Sequence, residues 1–328
     1  MIKMGVKITL AAHRKIKEAP TLFKTMISTL FCQEEPSIIA DSEEFLQECS
    51  KLGFKTINIS DIDRLPKTSI IFSFTNDAAK KTFDIAKNTK HKKSIFCATQ
   101  VFEPTLEAAL YSLNLLLISD FEQALSTQRR ILNMLNSHNS FFLSGNDADA
   151  QITTAPHAQP YALITEDVKN NFIQSVAEFF EVHYAHMNPQ EPCPFSFRGT
   201  LKISGILTVL RRSNPTLPEG LNISLKWLSD RISEEGALLA IEENTITSLK
   251  INGNEHIKLL DLAAGPRGLK LTEFAIGVND TIANSIDYKI NSQLNEGING
   301  VHIAIGDGSS GYHIDFLSPA VNVSPTHN

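Results

Sequence analysis

The chain has 328 residues, of which 42% are hydrophobic and 20% charged, with a net charge of −6 and a pI of about 5.9. This is the balance of an ordinary globular protein, long enough for two domains with sizeable cores. It excludes nucleic acid as a partner, because the one basic run, Lys90–Lys93, is short and reads as a solvated loop.

The start carries only a short apolar run, Ile8 to Ala12, followed at once by Arg14, Lys15 and Lys17. Neither a signal peptide nor a membrane span is expected from it. Cys32, Cys49, Cys97 and Cys193 show no CxxC spacing and read as reduced thiols of a cytoplasmic protein. From residue 36 to 150, apolar runs alternate with helical patterns. PSIIADS, FKTINIS, TSIIFSFTND and KSIFCATQVF read as strands, and EEFLQECSKLG, AAKKTFDIAKNTK and EPTLEAALYSL as helices. NLLLISD reads as a further strand, and FEQALSTQRRILNMLNSH as an amphipathic helix followed by NSFFLSG. The alternation predicts an α/β domain over residues 1–150, with a doubly wound, mostly parallel sheet. No GxGxxG or P-loop occurs, so no nucleotide site is expected.

The polar stretch 144–160, with Gly and Pro, is the expected domain boundary. Beyond it the pattern changes to short strands: PYALIT, FSFRGTLKISGILTVLRR and ALLAIEENTITSLKING, interrupted by the helical LNISLKWLSDRISEEG. This predicts an α+β domain over residues 151–328 with a curved, largely antiparallel sheet. FIQSVAEFFEVHYAH reads two ways. It is an amphipathic helix with Phe179, Val182 and His186 on one face, or a segment offering Glu178, Glu181, His183 and His186 as polar ligands.

The chemistry concentrates between Thr272 and Phe316. TEFAIGVN carries Glu273, GVHIAIG carries His302, and YHIDF carries His313 and Asp315. In a strand His313 and Asp315 point to the same face. Ionisable groups set among Ile, Ala and Phe are costly to bury unpaired, which favours a clustered site over scattered structural residues. Imidazole and carboxylate together suit Zn, Mn, Co or Fe(II) better than Ca or Mg.

These three blocks, in this order, resemble the signature of the aminopeptidase T-like metallopeptidases and the related 2,5-dihydroxypyridine dioxygenase-like proteins. The resemblance covers about the last sixty residues. It implies that Glu273, His302, His313 and Asp315 bind a pair of metal ions. It further implies that Glu181, in the remnant of a GEV block, helps bind metal or activates water. Departures are the missing glycine before Glu181, the missing lysine in NEGINGVH and the short DGSSGY loop.

Three functions follow. The first is a metal-dependent hydrolase of a peptide or amide bond, in which one ion acidifies water and Glu181 takes its proton. The second is a mononuclear Fe(II) ring-cleaving-type dioxygenase, built on His302, His313 and either Asp315 or Glu273. The missing glycine favours it. The third is a non-catalytic binding protein, favoured by the short loop. The expected partner is a peptide or small molecule, with a homodimer as the expected assembly and no membrane.

Overall fold

The computed structural model describes Ile27, residues 30–211 and residues 214–326. The run Ile8–Ala12 lies outside the described residues. The chain divides into two units. One comprises Met1–Ser126, Ile164–Phe179 and Ser292–Leu294; the other comprises Thr127–Leu163, Phe180–Asn291 and Asn295–Asn328.

Strands are numbered in chain order. Among the described residues, the first unit holds one sheet, built of β1 (Ser37–Ala40), β2 (Thr56–Asn58), β3 (Thr68–Phe72), β4 (Lys93–Cys97) and β8 (Phe172–Ser175). Their order is β2-β1-β3-β4-β8, and every pairing is parallel. β1 and β3 are buried along their whole length, as the near-continuous apolar runs require of a covered parallel sheet. Three helix starts here have a hydroxyl that satisfies an otherwise orphaned N–H. Ser42 accepts from Phe45, Thr75 from Ala78 and Thr105 from Ala108. The expected strand NLLLISD is instead the end of one helix, Leu106–Ile118. No turn residue separates it from the preceding periodic stretch, and leucine is a strong helix former.

The second unit holds two antiparallel sheets. One contains β5 (Ser140–Gly145), β6 (Ala148–Thr154), β10 (Phe195–Ile203), β12 (Ala237–Glu242), β13 (Thr245–Ile251), β14 (Asn254–Glu255) and β18 (Asn322–Pro325), ordered β14-β13-β12-β10-β6-β5-β18. The other contains β7 (Tyr161–Ala162), β9 (Glu181–Ala185), β11 (Gly205–Val209), β15 (Leu271–Gly277), β16 (Gly300–Ile305) and β17 (His313–Pro319), ordered β11-β17-β16-β15-β9-β7. The unit is thus α+β, with the helix Leu221–Glu235 where the sequence predicts one.

Both sheets feed one core. Phe197, Leu201 and Ile203 of β10 join Phe274, Ile276, Ile303, Ile305, Ile314 and Phe316 of the six-stranded sheet. Phe274 packs against Phe197 with ring centroids 6.0 Å apart. The helical reading of FIQSVAEFFEVHYAH does not hold. The segment is β8, a short 3-10 turn at Ala177–Phe179, and β9. Val182 and Tyr184 enter the core, so its apolar period is two, and β9 hydrogen-bonds to β15 and β7 on either side.

Among the described residues, no helix is long and apolar enough to cross a membrane. All four cysteines are free.

Candidate metal centre

Alternation decides which side chains meet. On β9, β15, β16 and β17 the apolar partners Val182, Phe274, Ile303 and Ile314 belong to the core. The residues of opposite parity, Glu181, His183, Glu273, His302, His313 and Asp315, therefore share the other face of the sheet. On β15 and β16 several of their cross-strand neighbours are small, whereas His302 also lies opposite Leu317, Asp315 opposite Leu207, His313 opposite Val209 and His183 opposite Tyr161. Glu181 lies opposite Gly277, and His183 and His302 both lie opposite Ala275. Glu273 lies opposite Ala185 and Ala304, and Asp315 opposite Ala304. At Ala275, Gly277 and Ala304 the small side chains leave room for the long polar ones to converge. A register shift between Leu271 and Glu273 places the glutamate at this centre, as strand irregularities commonly do at functional sites.

The distances show the convergence. His302 Nε2 is 3.5 Å from Glu181 Oε2 and 3.7 Å from Glu273 Oε1. His313 Nε2 is 3.7 Å from Glu273 Oε2 and 3.1 Å from Asp315 Oδ1. His183 Nδ1 is 3.4 Å from Glu181 Oε1, and the Tyr161 ring stacks on it at 5.3 Å. Two groups have their ligand atoms within 4.8 Å of one another: Glu181, His183 and Glu273; and Glu273, His313 and Asp315. Glu273 belongs to both. His302 reaches both Glu181 and Glu273 through one nitrogen.

A short loop sets the orientation of His313. Its Nδ1 lies 3.2 Å from the Gly306 carbonyl, so Nδ1–H donates there and Nε2 is turned to the carboxylates. Gly306 has φ +74°, and an added Cβ would lie 1.9 Å from the Tyr312 carbonyl oxygen. Asp307 braces the loop by accepting from the N–H groups of Ser309 and Ser310 and from the Ser310 hydroxyl.

The electrostatics are those of an acidic cluster under low dielectric. Glu296, in the 3-10 turn Gln293–Gly297, is buried beside it. Burial, together with the charges of Asp315, Glu181 and Glu273, raises its carboxyl well above the usual range. Burial opposes protonation of His313, but the charge and hydrogen bond of Asp315, with Glu273, push it up to about 9. Burial likewise pulls His302 down, and Glu273, Glu181 and Asp315 outweigh it. Burial would raise Glu273, yet the His302 hydrogen bond and the three histidine charges hold it low. Among the described residues, no lysine or arginine pairs with these four carboxylates. Glu181 Oε2, His302 Nδ1 and Asp315 Oδ2 are buried without a hydrogen bond. Unsatisfied buried oxygens, clustered carboxylates and oriented imidazoles are the donor set a divalent cation satisfies.

Glu178 lies in the 3-10 turn before β9, and His186 follows β9; neither belongs to a ligand group. Sequence reasoning passed over Glu296. Its only signal was an acidic residue placed six positions before His302, in a stretch noted for its missing lysine.

A two-unit chain with a parallel α/β sheet, an antiparallel α+β unit and clustered metal-ligating groups defines a class with metal-binding potential. The family model for crocagin biosynthetic protein CgnE/B matches residues 33–326, and the chain belongs to that family. The sequence blocks pointed to aminopeptidase T-like proteins; the family shown is the crocagin biosynthetic one. No curated protein matches the chain. Among the solved structures that match, two are similar over most of its length. Wild-type AmpT from Thermus thermophilus is 12% identical with a TM-score of 0.49, covering 95% of this chain and 94% of that one. The 2,5-dihydroxypyridine dioxygenase from Pseudomonas putida KT2440 is 9% identical with a TM-score of 0.46, covering 95% and 93%. At these values neither bears on the chemistry of this chain.

Proposed function

We propose that this face of the six-stranded sheet is a two-ion divalent metal centre, and that the chain is a metal-dependent hydrolase of an amide or peptide bond. The observation that carries the reading is Glu273, which both ligand groups share while each also holds a histidine. The donor chemistry supports cations here. Glu181, Glu273 and Asp315 have no lysine or arginine partner among the described residues, and only the imidazoles beside them are available to offset their charge in the absence of metal.

In this reading His313 and Asp315 would hold one ion and Glu181 with His183 the other, with Glu273 available to both and His302 beside Glu181 and Glu273. The ions, Zn, Mn or Co, supply Lewis acidity to the scissile carbonyl and to water. Glu181 Oε2, free of hydrogen bonds, accepts the proton of the attacking water. The Gly306 carbonyl keeps His313 in the tautomer that presents Nε2. Tyr161 stacks on the His183 ring and limits its rotation. The family's name lies in crocagin biosynthesis, and the bond cleaved is proposed to belong to an intermediate of that route.

Elemental analysis of protein purified without chelator tests the reading. Two Zn, Mn or Co per chain support it, one Fe favours the dioxygenase, and no metal at all favours a non-catalytic binder. Glu181→Gln should abolish hydrolysis of an aminoacyl amide in the loaded protein.

A further inference from the structure

The outer face of the seven-stranded sheet, turned away from the core, is not flat. A hollow of about 510 Å³ opens across β5, β6, β10 and β12. Its floor is short side chains: Thr200 of β10 pairs with Ala240 of β12 on one side and with Asp149 of β6 on the other. Its walls are long ones, Phe142, Arg198 and Glu242. Two backbone irregularities coincide at this point. Gly199 has φ +124°, and an added Cβ would lie 2.3 Å from the Asp149 carbonyl. Its partner across the ladder is Ile241, where β12 and β13 shift register between Ala240 and Ile241. Bulged, glycine-bearing strands re-aim side chains, and they recur beside binding sites.

The charges in the hollow are held apart. Arg198 is oriented by Gln151, whose Oε1 accepts from its guanidinium at 2.8 Å. Asp149 and Glu242 line the same hollow, yet neither forms an ion pair with Arg198 or with any other described residue. Phe142 is 51% exposed beside them. The hollow carries one positive and two negative charges, so the complementary ligand carries one carboxylate and two ammonium groups.

We propose that this hollow is a binding site for a basic α-amino acid of the lysine type. The α-carboxylate pairs with Arg198. Glu242 sits in the next strand beside Ile241, the partner of the residue after Arg198, and takes the α-ammonium. Asp149, on the opposite side of β10, takes the side-chain ammonium, and the aliphatic stem crosses Thr200 towards Phe142. With strands about 4.8 Å apart and residues about 3.4 Å apart along a strand, the two carboxylates stand roughly 10–12 Å apart at the backbone. An extended lysine reaches across that span once the acidic side chains lean inward. The hollow is also within the size range of small-molecule sites, about 300–1,000 Å³.

The test is calorimetric titration of the full chain with L-lysine in excess chelator, so that the metal centre takes no part. Saturable binding with a dissociation constant of about 1 mM or tighter is expected. L-Norleucine, lacking the side-chain ammonium, and L-lysinamide, lacking the carboxylate, should each bind about 10-fold more weakly. Arg198→Gln should weaken L-lysine by a similar factor and leave L-lysinamide unchanged. Thr200→Leu, which raises the floor, should abolish binding. The proposal is overturned if L-lysine shows no saturation up to about 20 mM, if norleucine binds as well as lysine, or if Arg198→Gln binds lysine like the wild type. None of these outcomes depends on whether the chain is a hydrolase.

Discussion

At the scale of single residues, the proposed metal centre is a problem of charge. His313 is the least adjustable donor, fixed by its strand, its tautomer and the Gly306 carbonyl. His313→Ala should lower the metal content from two ions to one, because Asp315 and Glu273 lose the imidazole they share. His183→Ala should remove the other ion while His313 keeps its own. Elemental analysis of the two variants checks this, and an equal loss of both ions in each would indicate a single coupled position. Protons compete for the same donors. With His313 pushed up to about 9, it is charged at pH 7.5 in the metal-free protein and must lose its proton to bind an ion. Metal uptake should therefore release protons, and affinity should climb as pH rises to about 9. Calorimetry in two buffers of different ionisation enthalpy measures that release.

At the scale of elements, the small cross-strand neighbours matter as much as the ligands. Ala304 is fully buried between Glu273 and Asp315. Ala304→Leu would fill the space over which the carboxylates converge. Overpacking of this kind costs about 1–3 kcal/mol, and metal affinity should fall although every ligand remains. Ala304→Ser serves as the control that keeps the space. The β16–β17 loop is a second such point. Gly306→Ala puts a methyl group against the Tyr312 carbonyl at a positive φ, and it should destabilise the second unit by more than about 1 kcal/mol. Thermal unfolding followed with metal bound and with chelator would read both effects.

At the scale of the whole molecule, stability and metal are linked through pH. In the metal-free protein the raised His313 contributes stability that is full below 6.5 and is lost as pH climbs through about 9. Glu273, held low, contributes stability that is present above 4.5 and is lost as pH falls towards its folded value. Glu296, held high, adds stability that is full below 4.5 and fades at higher pH. The chelated protein should then be most stable at about pH 4.5, losing stability above it as Glu296 titrates and further above about 6.5 as His313 does. Bound ions need the deprotonated donors, so loading should move the optimum above pH 7 and add about 2.7 kcal/mol at a metal concentration 100 times the dissociation constant. Melting curves across pH, with and without chelator, decide it. An unmoved optimum would mean that the ions do not sit on these groups.

Some of this was already present in the amino-acid order. Period-two alternation in TEFAIG, GVHIAI and YHIDF specified strands, and it placed His313 and Asp315 on one face whatever their surroundings. Strand–helix alternation over residues 36–150 pointed to the parallel sheet, which takes in β1 to β4, while the last run, NSFFLSG, joins the antiparallel seven-stranded sheet as β5. Local pattern misjudged two stretches, NLLLISD and FIQSVAEFFEVHYAH, since short apolar runs suit helix and strand alike and only the partners decide between them. Tertiary structure alone decided the rest. Residue separation along the chain says nothing of which strand is next to which, so only the order β17-β16-β15-β9 brings Glu181 and His183 to Glu273. Glu296 was illegible for the same reason: its raised carboxyl comes from burial beside three acids that are distant in sequence, and that environment exists only once the sheet has formed.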